Sequence, residues 1–203
     1  MRRDNQSRRG FSRGRNVETR EIAIRFLIVS EDTKSSTDYF KALIKEVQAA
    51  CSGSKVVGIA KNSMVKGCGM STTSLLKEAK KIRDSELTSF DRCWLVFDKD
   101  DFSDFNRAIR EATDAGFEVA WSNESFELWY LLHFRYQNTA IPRDKCTKAL
   151  EAEIQKCKPS FRYDKGSSSM HSILAELGDQ SQAIKNAERL QNNYQDTDYS
   201  RHN

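Results

Sequence analysis

IAIRFLIVSE (residues 22–31) and CWLVFDKDD (residues 93–101) are the two stretches that decide the fold of this chain. Each is a short apolar run of the kind that forms a strand buried on both faces of a parallel sheet. Each also ends in acid: Glu31 closes the first, and Asp98, Asp100 and Asp101 close the second. In an open α/β sheet, ligands bind beyond the carboxyl ends of the strands. Carboxylates gathered there offer only hard oxygen donors, a set that suits Mg2+ or Mn2+. A divalent ion held this way serves phosphate chemistry, one or two ions steadying the attacking and leaving oxygens of a phosphodiester. Glu31, Asp98 and Asp100 are therefore the candidate metal ligands and catalytic acids; solvated turn and helix-capping acids are the plainer alternative. Asp101 is a further candidate ligand, although capping the helix after it is the simpler role.

Outward from these runs, strand and helix alternate. SSTDYFKALIKEVQAAC (35–51) places Tyr39, Phe40, Leu43, Ile44 and Val47 on one helical face, with Ser36 as the expected cap. KVVGIA (55–60) reads as a short strand, KNSMVKGCGMSTT (61–73) as a loop, and residues 74–86 as a helix. Strand Cys93–Phe97 leads to a helix from Ser103 to Ala115, ended by Gly116. Strand FEVAWS (117–122) and a short, mostly apolar helix SFELWYLLHF (125–134) follow. The alternation predicts an α/β fold with a doubly wound, mainly parallel, Rossmann-like sheet. Beyond Pro142 the strand pattern stops, and residues 145–157, 169–177 and 180–194 read as helices. The expected organisation is an arm over 1–20, an α/β core over 21–140, and a helical extension over 141–203 packed on the core.

Charge is distributed unevenly. Arg2, Arg3, Arg8, Arg9, Arg13, Arg15 and Arg20 face only Asp4 and Glu18, so residues 1–20 carry +5 of a chain whose net charge is +4. With one aromatic and almost no aliphatic residues, this arm cannot bury enough surface to fold alone. Arginine forks neutralise phosphates and release counterions, so Arg2, Arg3, Arg8, Arg9, Arg13 and Arg15 are candidate nucleic-acid contacts; a solubilising tail is the plainer alternative. Five cysteines without a CxxC pair or zinc spacing point to reduced thiols and a cytoplasmic setting. No apolar stretch reaches membrane-span length, and no Walker A string is present.

Four more residues carry possible chemistry. Glu127 lies in an apolar helix, where a carboxylate is expensive unless paired or metal-bound, so it is either a site residue or half of a buried salt bridge. Asn123 follows a strand and either orients a phosphate or metal water, or caps the helix. Lys34, just past Glu31, either stabilises charge on a phosphoryl oxygen or is a solvated loop lysine. His133, flanked by Leu132 and Phe134, reads more simply as a core histidine than as a general acid–base.

An acid ending the first strand and Asp-x-Asp ending a strand two βα units later resemble the Toprim domain of topoisomerases, primases and OLD-type nucleases. The resemblance maps its glutamate to Glu31 and its aspartates to Asp98 and Asp100. From Leu27 to Leu190 the chain is similar to the RloB family, Toprim-like proteins of bacterial phage-defence and restriction loci. The matching strings run from Glu31 through Tyr39-Phe40, then VFDKDD (96–101), SNESFELWYLLHF (122–134), Cys146 and FRYDK (161–165). That resemblance implies a metal-dependent nuclease effector of abortive infection, acting on RNA or DNA beside an ABC- or AAA-type ATPase. The chain departs from the family pattern at Asp32, where glycine is usual, at Ser36, where a second glutamate is usual, and at Phe102, where histidine is frequent. Two readings stay open: a Mg2+- or Mn2+-dependent phosphodiester hydrolase, and a non-catalytic module that docks on the ATPase.

Overall fold

The computed structural model describes residues 23–51, 58–70, 72–99, 105–165 and 167–194. The arginine arm, Asp100, Asp101 and Phe102 lie outside the described residues.

The first apolar run divides at Arg25, the charged residue in its interior. β1 (Ala23–Ile24) and β2 (Phe26–Ser30) flank Arg25, which is 6% exposed. Its guanidinium bonds the Glu86 carboxylate at 2.7 Å, the Asn62 carbonyl at 3.1 Å and the Thr88 carbonyl, and lies over the Phe90 ring. A charge buried this way needs such partners, and gathering them bends the chain out of one sheet into another. After α1 (Ser35–Ala50), β3 (Gly58–Ile59) pairs in parallel with β1 as a separate two-stranded sheet. The stretch 61–73, expected as a loop, contains β4 (Met64–Gly67), which pairs in parallel with β2 from Leu27–Met64 to Ser30–Gly67. With one β-branched residue and a glycine in four positions, β4 is a strand because β2 supplies its partner, not because of propensity.

α2 (Thr72–Ser85), β5 (Arg92–Lys99), α3 (Phe105–Asp114) and β6 (Glu118–Asn123) complete the α/β alternation. The main sheet is wholly parallel, in the order β4-β2-β5-β6. Alternation along the strands separates its two faces. Leu27, Val29, Cys93, Leu95 and Phe97 share one cluster with α2 and α3 through Leu75, Ala79, Ile82, Phe105 and Ile109. Ile28 and Val96 point the other way, into a cluster with Tyr39 of α1. That second face also receives α4 (Glu127–Leu132), α5 (Arg143–Gln155) and α6 (Met170–Leu177), through Tyr130, Leu150, Ile154, Met170 and Leu174. α7 (Gln180–Tyr194) follows, and Asn186 on it donates to the Leu132 carbonyl at 2.9 Å. Fully buried side chains such as Leu27, Leu95 and Leu150 each contribute about 1.5–3 kcal/mol.

Two consequences bear on function. The four parallel strands end on one edge, which brings together their last residues Ser30, Gly67, Lys99 and Asn123. The helices after residue 142 pack on the α1 face, so their loops reach that edge. Among the described residues, no helix is long and apolar enough to cross a membrane, and all five cysteines are free thiols.

Candidate functional site

Glu31 is the first residue past β2, and its backbone is clamped on both sides. Its amide donates to the Val96 carbonyl and its carbonyl accepts from the Gly69 amide, each at 2.8 Å. Its Oε2 is buried. Ser30, opposite Val96, is the last residue of β2 paired with β5, so Glu31 stands where the chain leaves the sheet.

Asp98 is 15% exposed, with Arg143 Nη2 3.7 Å from its Oδ2. Burial pushes its carboxyl up to about 7; Arg143 draws it back, and the charges of Glu127 and Glu31 push it further up. Glu31 and Glu127 therefore both act on Asp98 as like charges. Glu127, at the start of α4, is 1% exposed. Its Oε1 accepts the Tyr163 hydroxyl at 2.5 Å and the Ser35 hydroxyl at 2.8 Å. Burial opposes its charge, yet these hydrogen bonds hold its pKa below the ordinary carboxylate value. Burial and Glu127 raise the Tyr163 pKa, so that phenol stays a neutral donor. Glu127 is thus paired by hydroxyls rather than by a buried salt bridge. One carboxylate is held charged while its neighbour sits near half-protonation at neutral pH, the kind of divergence that separates proton-holding from charge-holding roles.

Asp32 organises the start of α1. Its Oδ2 accepts the Ser36 amide at 2.9 Å and the Ser36 hydroxyl at 3.3 Å, and its carbonyl accepts the Thr37 hydroxyl at 2.6 Å. Asp32, two residues ahead of the Lys34 N-cap position, therefore supplies the side-chain cap, not Ser36, which lies inside the first turn, 1% exposed and 2.5 Å from the Ser30 hydroxyl. The acid that the family resemblance places at residue 36 is absent, but the Asp32 carboxylate lies against that position. Lys165 Nζ approaches the other oxygen, Oδ1, at 3.5 Å. The close fit requires glycine at 67: a Cβ there would fall 2.5–2.6 Å from Thr37 Oγ1, the Asp32 carbonyl and Thr33 Cα.

Arg143, the first residue of α5, is aimed by an unusual backbone. Glu124 has φ +67°, a left-handed conformation that costs a non-glycine residue about 1–2 kcal/mol. Its carbonyl accepts Arg143 Nε at 3.1 Å and Nη2 at 2.6 Å. The strain thus persists where it positions a charged side chain at the site.

The remaining candidates fall elsewhere. Lys34 is exposed; its carbonyl accepts the Asp38 amide in the first turn of α1. Asn123 lies opposite Lys99 at the end of β6 and lines a cavity of about 330 Å³ with Trp121, Leu128, Trp129 and Ile184. His133 is 4% exposed, with Nδ1 2.9 Å from the Trp129 carbonyl and its Cβ against Gly178. Burial lowers its pKa, and it packs as a core histidine. Asp100, Asp101 and Arg2, Arg3, Arg8, Arg9, Arg13 and Arg15 belong to the undescribed residues. Sequence reasoning passed over Ser35, Tyr163 and Arg143. Tyr163 and Lys165 stand two apart in FRYDK, the spacing that turns two side chains of an extended segment the same way. Nothing in the sequence marks Ser35 or Arg143.

Among the described residues, no group of three His, Cys, Asp or Glu side chains is arranged to hold a metal ion. Glu127 is held by hydroxyls and Asp32 by the start of α1, which leaves Glu31 and Asp98, with Asp100 undescribed. The donors present are nonetheless hard oxygens, and Asp98, raised chiefly by burial, also feels the like charges of Glu127 and Glu31, which a divalent cation relieves. In that chemical sense the residues fit Mg2+ or Mn2+.

Tyr39 of α1 packs edge-on or tilted against Phe126, Trp129 and Tyr130, at ring-centre distances of 5.7, 6.3 and 5.9 Å. The conspicuous sequence strings are thus one aromatic wall behind the acids. No curated protein and no solved structure matches the chain significantly. The family model described as RloB-like protein matches residues 26–202, from β2 through all of the helical extension. The chain belongs to the RloB-like protein family.

Proposed function

We propose that this protein is a Toprim-like, metal-dependent nuclease: a cytoplasmic effector of anti-phage defence that hydrolyses phosphodiesters in RNA, tRNA among them, or in DNA. The observation that carries this reading is that the charges of Glu31 and Glu127 both act on Asp98, at the carboxyl end of the parallel sheet. Glu31, Asp98 and Asp100 are the ligands in this reading, with Asp101 or Asp32 close enough in sequence to assist. One or two bound Mg2+ or Mn2+ ions supply an activated water and stabilise the charge that develops on the phosphoryl oxygens.

The protein's own groups divide the remaining work. Asp98 releases its proton when a cation binds, which couples metal affinity to pH. Glu127, held ionised by Tyr163 and Ser35, is a poor proton acceptor and serves as a fixed charge that orients what binds beside it. Arginines of the 1–20 arm add sequence-independent phosphate contacts. An ABC- or AAA-type ATPase partner keeps the activity silent until infection.

The test is the double substitution Asp98→Ala with Asp100→Ala, expressed with the neighbouring ATPase under phage challenge. It empties no apolar core, so the protein should fold and bind its partner while cleavage and defence disappear. A soluble double mutant that defends as well as wild type would instead make the protein a docking module without catalysis.

A further inference from the structure

Four carboxylates at the sheet edge would repel a phosphate unless cations stood on the same rim. Two do, and both come from the helical extension. Arg143 opens α5 and lies 3.7 Å from Asp98; Lys165, in the loop between α5 and α6, lies 3.5 Å from Asp32. Tight charge-assisted pairs are closer, about 2.7–2.9 Å. The Arg143 and Lys165 side chains are 50% and 45% exposed, and exposed pairs of this kind add little stability. Their placement is nevertheless specific. The left-handed backbone at Glu124 turns its carbonyl onto two nitrogens of Arg143. Tyr163, two residues before Lys165, is fastened to Glu127. Arg162, the residue before Tyr163, turns away toward Glu151 at 4.0 Å.

We propose that Arg143 and Lys165 form a phosphate-binding pair that seats the backbone of a nucleic acid across the carboxylates. The identity of the ligand rests on the nuclease reading; the placement of the two cations does not. When a divalent cation neutralises Asp98 and the adjoining acids, the attraction that draws both side chains inward falls, and a phosphodiester takes over as their counter-charge. The arginine fork suits two oxygens of one phosphate, and the lysine acts as a point charge on the same or the next one. The helical extension is thereby half of the substrate site.

The experiment measures binding of labelled single-stranded RNA and DNA oligonucleotides to the full chain, with Ca2+ replacing Mg2+, across a salt series. Arg143→Ala and Lys165→Ala should each weaken binding about tenfold and flatten the log–log salt slope by about 0.7–0.9, one phosphate contact apiece. Arg143→Lys should restore the slope but not the full affinity. Thermal melting of all variants should match wild type, because neither side chain is buried. Wild-type slopes in both alanine variants overturn the proposal. Asp98→Asn, assayed for cleavage in parallel, separates the two failures: unchanged slopes with cleavage abolished remove only the phosphate pair. Undiminished cleavage by Asp98→Asn removes the nuclease reading itself, and a wild-type chain that binds neither oligonucleotide removes both.

Discussion

Replacing Asp98 with asparagine should stabilise the metal-free protein, and should do so only at higher pH. In the folded chain the Asp98 carboxyl titrates near 7, against about 4 for an ordinary aspartate in the unfolded chain. A carboxyl whose pKa is raised by folding binds its proton more tightly when folded. Its favourable contribution is complete below pH 4 and is lost as pH rises through 7. About three pH units at 1.36 kcal/mol each set a ceiling of about 4 kcal/mol, and local relaxation leaves about 2–4 kcal/mol. The Arg143 attraction is already contained in that titration. Asparagine keeps the shape and carries no charge, so it escapes the loss. Urea unfolding with chelator at pH 4.5, 6 and 8 should show the two proteins nearly equal at the acid end and the variant about 2–4 kcal/mol more stable at pH 8. Added Mn2+ should close the gap by stabilising wild type alone, by about 2.7 kcal/mol at a hundred times its dissociation constant. An offset that does not change with pH, or a variant less stable at pH 8, refutes the claim that burial beside Glu31 and Glu127 controls this carboxyl.

Gly67→Ala should destabilise the protein by about 1–3 kcal/mol in urea melts, because the new methyl meets backbone atoms of Asp32 and Thr33 that cannot move aside; wild-type stability would contradict the packing. Asp32→Ala should lose about 1 kcal/mol as a missing cap, whereas Asp32→Asn should keep the cap and lose only charge. A fall in Mn2+ affinity for the asparagine variant then marks Asp32 as part of the metal site, and unchanged affinity confines it to capping. Tyr163→Phe should cost about 1.5–3 kcal/mol, the usual value for a hydrogen bond to a charged group, and raise the Glu127 pKa. Carbon-13 NMR of the glutamate carboxyls reads that pKa directly, and an unmoved Glu127 would show that Ser35 alone holds it.

The parts of this fold legible in the sequence are those written in local pattern. The runs containing Leu27–Val29 and Leu95–Phe97 are strands because a strand buried on both faces is apolar there; Glu31 falls just past the first, whereas the second continues through Asp98 to Lys99. The parts missed depend on partners far along the chain. Arg25 divides the first run only because Glu86, Asn62 and Thr88 stand ready to receive it. β4 is a strand because β2 lies beside it. Glu127 was conspicuous as an acid in an apolar helix, but its partners Ser35 and Tyr163 lie 92 and 36 residues away. No spacing rule links such positions.

Asp32 and Ser36 show how a departure from a family pattern can mislead when read one column at a time. On the sequence, a serine where an acid is usual looks like a lost ligand, and an acid where glycine is usual looks incidental. In space the two positions are one: the Asp32 carboxylate receives the Ser36 amide and hydroxyl. A glutamate at 36 would crowd that carboxylate and the Ser30 hydroxyl, 2.5 Å from Ser36 Oγ, in a spot 1% exposed. Two acids there would repel with little water to screen them. One acid and one hydroxyl instead satisfy each other, cap α1, and leave Asp32 Oδ1 facing Lys165. Asp32 therefore supplies a carboxylate against Ser36, so the serine at 36 does not leave the first strand end without an acid.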